Sequence, residues 1–130
     1  GSVFYASLHE WPLFPGTGSG EERGAGEGEG ATLNLPQPVG SGGARWLGAL
    51  EDRLLPSVQD FRPQFLLLSA GFDGYEKDPV GAFQLTTDDF EGIGAILAEL
   101  ALPTVVVQEG GYYTPDLGAN AGALLTGLRR

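Results

Sequence analysis

The chain has 130 residues, with 7 Lys+Arg against 17 Asp+Glu and a formal charge of −10, which argues against a nucleic acid bound through its phosphates. It contains no cysteine and one histidine, His9. A disulfide framework, a thiolate zinc site, a cysteine nucleophile and any site needing two histidines from one copy are therefore excluded. The length suits one domain, residues 1–130, able to bury roughly two thirds of the surface of its unfolded chain.

No signal peptide or membrane span is legible, because the longest apolar runs have the length of strands. A soluble, cytoplasmic protein with no membrane partner is expected. The chain opens Gly1-Ser2 and lacks methionine, as an expression tag leaves after cleavage, so further upstream sequence is expected.

In chain order, Val3 to Leu8 is rich in β-branched and aromatic residues and predicts a first strand ending at His9. Residues 16–30 alternate glycine with small and acidic residues, a composition that cannot bury enough apolar surface to offset ordering, and predict a mobile acidic loop. Thr32 to Leu35 is a short extended piece ending at Pro36. Ala44 to Phe61 carries Trp46, Leu47, Leu50, Leu54 and Leu55 at helical spacing, disturbed by Pro56.

The run Gln64 to Ser69 predicts a strand covered on both faces. Thr86-Thr87-Asp88-Asp89 supplies an N-cap and first-turn charge for an amphipathic helix bearing Phe90, Ile93, Ile96, Leu97 and Leu100. Pro103 stops it, Thr104 to Gln108 is the next strand, and Leu117 to Leu128 a closing helix. Strands alternating with helices indicate an α/β fold, a parallel sheet with flanking helices. Ligands of such sheets sit beyond the C-terminal strand ends, so the loops after Leu8, Ser69 and Glu109 should converge on a site.

Those loops hold the chemistry. Asp73 is either a metal ligand or the cap of a turn, and Asp78-Pro79 has the same two readings, the turn being the commoner. Tyr112, beyond Gly110-Gly111, either donates a hydrogen bond to a developing oxyanion or packs. His9 either joins Asp73 on a metal or is satisfied by a backbone carbonyl. Trp11, Leu13 and Phe14 either wall a channel or pack together.

Three phrases, in order, carry a resemblance. Ser7-Leu8-His9-Glu10 with Phe14-Pro15-Gly16-Thr17-Gly18, then Ser69-Ala70-Gly71-Phe72-Asp73 with Asp78-Pro79-Val80-Gly81 and Leu85-Thr86, then Glu109-Gly110-Gly111-Tyr112 with Leu117-Gly118, resemble the histone deacetylase family and its acetylpolyamine amidohydrolase relatives. The resemblance spans nearly the whole chain but only the C-terminal part of a family catalytic domain, and it implies a partial arginase/deacetylase-like fold. It implies that Asp73 is a ligand of the catalytic zinc, which acts as Lewis acid and lowers the pKa of its water. It implies that the Tyr112 hydroxyl polarises the amide carbonyl of an acylated lysine or amine, and that Phe14, with Gly110 and Gly111, lines the substrate channel. The Ser7 hydroxyl and the Leu8 carbonyl match ligands of a structural potassium ion, and His9 becomes structural.

In that family an Asp-x-His motif supplies the other zinc ligands and a histidine pair the base, all upstream of the Ser7-Leu8-His9 strand. With one carboxylate of three ligands, the chain alone is expected to hold no catalytic zinc and to be inactive. The alternative is a non-catalytic binding or assembly module. A strand outside this chain also separates the Ser7 strand from the Ser69 strand in the family's sheet, so unpaired edges and apolar surface are expected. Either the two strands pair directly or the chain forms a homodimer through its exposed sheet edges.

Overall fold

A computed structural model describes residues 2–130; Gly1, read above as part of a tag remnant, lies outside them. There are four strands, β1 (Tyr5–Glu10), β2 (Thr32–Gln37), β3 (Leu66–Ala70) and β4 (Thr104–Gln108); helices α1 (Gly43–Ala49) and α2 (Leu55–Phe61) follow β2, α3 (Thr87–Ala98) follows β3 and α4 (Thr114–Leu128) follows β4. The fold is α/β, and both strand pairs are parallel.

The expected single sheet is instead two, β1–β2 and β3–β4, and β1 does not pair with β3. Direct pairing of the two strands is thereby corrected. Each pair satisfies its own ladder, β1 with β2 from Tyr5↔Thr32 to Glu10↔Gln37 and β3 with β4 from Leu66↔Thr104 to Ala70↔Gln108. The ladder, not the apolar run, sets the strand ends. Hence β1 starts two residues later than expected and encloses His9, and β2 continues through Pro36, which a strand with one partner tolerates.

The strand expected to be covered on both faces is covered on one. Leu66, Leu68 and Val106 pack on the core, whereas Leu67, Val105 and Val107 are exposed on the other face. Period-2 alternation lets one strand pair show both environments, and an all-apolar run cannot report which face has a neighbour.

The helix predicted over 44–61 forms, with a turn of π-helix over Leu50–Leu54 joining α1 to α2. Pro56 lies in the first turn of α2. It has no N–H to give back to the preceding turn and its ring crowds the carbonyl there, and the wider turn accommodates both. Leu50, Leu54, Leu55 and Val58 remain buried on one stripe. The helix stops at Arg62, whose φ of 54° is left-handed.

Helix α3 begins with a capping box. The Asp89 N–H donates to Thr86 Oγ1 at 3.3 Å and the Thr86 N–H to Asp89 Oδ2 at 2.7 Å. Phe90, Ile93 and Leu97 are buried beneath it together with Phe72, Tyr75, Phe83 and Leu85. Helix α4 starts three residues before the expected Leu117, with Pro115 in its first turn, where a missing N–H costs nothing. It packs on α3, and the Thr87 hydroxyl donates to Oδ1 of Asn120, which is buried in α4, at 2.7 Å.

Segment 16–30 buries none of its residues, as its composition requires, and is shaped by hydrogen bonds around a 3-10 turn at Gly26–Gly28. The Glu22 carboxylate accepts from the N–H groups of Gly18 and Ser19, and the Arg23 carbonyl from those of Gly30 and Thr32. Among the described residues no helix is long and apolar enough to cross a membrane.

The α3–α4 contact depends on two glycines. A Cβ on Gly94 would collide with the Leu124 carbonyl, and one on Gly127 with the Glu91 carbonyl. Gly94→Ala should therefore destabilise the chain by about 1–3 kcal/mol in urea unfolding. At exposed Gly122 an added Cβ meets nothing within 4 Å, and Gly122→Ala should raise stability by about 0.4–1 kcal/mol. Equal effects at the two positions would mean that the helices part freely.

Candidate active site

The loops after β3 and β4 are laced together where their strands end. The Phe72 N–H donates to the Gly110 carbonyl at 2.7 Å and the Glu109 N–H to the Ala70 carbonyl at 3.0 Å. Asp73 lies between them in a notch made by two glycines. A Cβ on Gly110 would stand 2.6 Å from Asp73 Oδ2, and one on Gly71 3.0 Å from Oδ1. Small residues at 71 and 110 are thus what makes room for the carboxylate.

Partial burial, followed by the negative charges of Asp78 and Glu109, pushes the Asp73 carboxyl above the ordinary carboxylate range, although a backbone hydrogen bond works the other way. A cation bound here would relieve that field. Catalytic zinc takes three protein ligands, and among the described residues no three His, Cys, Asp or Glu side chains form a group that could hold a metal ion. The donors present do not complete a zinc site.

Tyr112 follows Gly110-Gly111. Gly111 has φ of 141°, a conformation that L side chains rarely adopt, and a Cβ there would meet Leu117 and Phe72 at 2.9–3.0 Å. The Tyr112 N–H donates to Asp78 Oδ2 at 2.8 Å, and its side chain is about half exposed. Asp78 itself is buried, and its Oδ1 accepts from Val80 N–H at 2.8 Å and Gly81 N–H at 3.1 Å. From the sequence, a turn is the commoner reading of Asp78-Pro79. The turn is there, but the second carboxylate oxygen reaches a loop 34 residues away, which local pattern cannot show.

A second tie was not legible at all. Asp116, in the first turn of α4, accepts from the Tyr75 hydroxyl at 2.8 Å and pairs with Lys77 at 3.0 Å. The Lys77 ammonium also lies 5.7 and 5.8 Å from the rings of Tyr75 and Tyr113.

Two of the three expected loops are therefore joined, bringing Asp73, Gly110, Gly111 and Tyr112 onto one scaffold. The first loop is carried by the separate β1–β2 sheet, and Phe14 is 95% exposed. Ser7 and Leu8 lie within β1. His9 Nε2 donates to the Gly18 carbonyl at 2.7 Å, and Nδ1 is hydrogen-bonded with the Ser7 hydroxyl at 2.8 Å. That histidine is satisfied by backbone, as the structural reading requires.

Burial alone would raise the Asp78 carboxyl, but the N–H donors of Tyr112, Val80, Gly81 and Tyr113 outweigh it and hold the group below the ordinary range. A depressed carboxyl stabilises the fold above its unfolded value, about 3.9, and that contribution is lost as pH falls through the folded value. Asp73 is shifted oppositely and works against this, so the informative quantity is a difference. Below about pH 4, the stability gap between the unaltered chain and Asp78→Ala should shrink in urea unfolding followed against pH. A constant gap would mean that the carboxylate charge is not what the loop holds.

A family model described as the histone deacetylase domain matches residues 1–128. The acetylpolyamine amidohydrolase of Burkholderia pseudomallei is 44% identical over 129 residues, 97% of this chain and 38% of that protein. A chloroplastic histone deacetylase 10 of Oryza sativa is 37% identical over 91% of this chain and 28% of its own length. The crystal structure of the Burkholderia pseudomallei acetylpolyamine aminohydrolase superposes with a TM-score of 0.91, at 44% identity, over 96% of this chain and 37% of that one. The chain thus spans well under half the length of these relatives, and it belongs to the histone deacetylase family.

Proposed function

We propose that this chain carries one half of the active site of a zinc-dependent amidohydrolase acting on acetyl-lysine or an acetylated amine. The observation that supports the reading is the Asp73 carboxylate in its glycine notch beside the loop of Tyr112. The Tyr112 phenol donates a hydrogen bond to the oxygen that gains charge as the amide carbonyl is attacked. Asp73 is one of three zinc ligands, and the other two and the general base come from outside this chain. Ser7 Oγ and the Leu8 carbonyl are oxygen donors suited to potassium. No step on zinc is assigned to this chain, since its donors do not complete the site.

That incomplete donor set favours a second reading, a non-catalytic deacetylase-like module that binds or assembles. Its exposed strand face, Leu67, Val105 and Val107, together with the open strand edges, is the surface through which a homodimer would form.

Calorimetric titration of the metal-free chain with zinc should show no tight one-to-one binding, and a fluorogenic acetyl-lysine assay no turnover. Mixing the chain with the part of the Burkholderia pseudomallei relative that it does not match should restore turnover. Tyr112→Phe should then lower kcat by about 10²–10³, and Asp73→Ala should abolish zinc-dependent activity. Turnover indifferent to Tyr112→Phe overturns the first reading. An acetylated amine bound by the chain alone, with no turnover in any mixture, supports the second.

A further inference from the structure

We propose that the turn from Tyr75 to Asp78 is the template that positions Tyr112, with Asp78 as the positioning residue. The inference rests on the reading of Tyr112 as the hydrogen-bond donor of the reaction. The Gly110-Gly111 dipeptide leaves the loop few conformational restraints of its own, and the Tyr112 ring is about half exposed, so packing alone does not orient it.

What holds the loop comes from the other strand's connection. Asp78 Oδ2 takes the Tyr112 N–H at 2.8 Å. One residue further, the Tyr113 ring lies 6.1 Å from that of Tyr75 with Lys77 over both. Three residues beyond that, Asp116 takes the Tyr75 hydroxyl and the Lys77 ammonium on one oxygen. The template is itself anchored, because the Tyr75 ring is buried in the core beside Phe90 and the Glu76 N–H donates to the Leu85 carbonyl at 2.8 Å. A turn fixed to the core thus grips residues 112, 113 and 116 in succession, and the same turn follows the loop that carries Asp73. The two groups that must face one reacting amide are spaced by it.

Asp78→Asn separates positioning from simple turn formation. Asparagine supports the same turn, with one oxygen for Val80 and Gly81, but presents an NH2 where the Tyr112 N–H needs an acceptor. By residue-resolved amide hydrogen exchange, the Tyr112 N–H should be protected in the unaltered chain. In Asp78→Asn its exchange should quicken at least about tenfold, while Val80, Gly81 and the amides of α3 stay within about twofold. An unprotected Tyr112 amide in the unaltered chain overturns the proposal, and that measurement needs no variant to fold. So does an Asp78→Asn variant in which all these amides quicken together, since that is loss of structure and not loss of position. Neither readout depends on turnover. Failure of the deacetylase reading would show separately, as absent activity in the complemented mixture with the exchange pattern intact.

Discussion

The candidate site depends on one buried carboxylate. Asp78 has a charge to hide and four backbone N–H groups around it, and those donors come from two different loops. Burying an ionised carboxylate is costly unless its lone pairs are filled. The pairing therefore compels the loop after β4 to come to the turn after β3 and to stay there. The strand-end bonds between Phe72 and Gly110 and between Glu109 and Ala70 continue the same lacing toward the sheet. Removing the carboxylate would take its acceptor from the N–H groups of Val80, Gly81 and Tyr112 at once.

Behind the loops, the frame is a layer of helices on one face of β3–β4. The α3–α4 contact is close because glycines meet backbone at the crossing, and the apolar stripe of α3 fills the space under Phe72 and Tyr75. The other face of this sheet carries Leu67, Val105 and Val107 in the open, and β1–β2 forms a sheet apart. The relatives this chain matches are more than twice as long. The same division separates the residues named for function. Asp73, Tyr112 and the glycines share one scaffold, whereas Ser7, Leu8 and Phe14 belong to the other sheet and its loop.

Much of this was legible from residues alone, for identifiable reasons. The start of α3 is written in Thr86 and Asp89, whose reciprocal bonds form within four residues. The end of β4 follows from a short Val-rich run stopped by the Gly110-Gly111 pair. The disturbance at Pro56 is legible because the missing N–H is a property of the residue; that the chain answers with a π turn and not with a break goes with Leu50 and Leu54 staying in the core. The second sheet was not legible, since ladder partners are chosen among all strands and an apolar run advertises only that it wants one.

The sequence by itself determined the fold class, the family through three ordered motifs, and the absence of cysteine or paired-histidine chemistry within one copy. These rest on residue types and on patterns that each lie within a short segment. Only the tertiary structure decided that Asp78 bridges two loops, that Tyr75, Lys77 and Asp116 form a second tie, and that one face of β3–β4 is bare. Each of those joins or separates groups far apart along the chain, by 34 residues for Asp78 and Tyr112 and 41 for Tyr75 and Asp116. A carboxylate is the same letter whether it caps its own turn or captures a distant amide, and burial in the folded chain is what makes the second partner necessary.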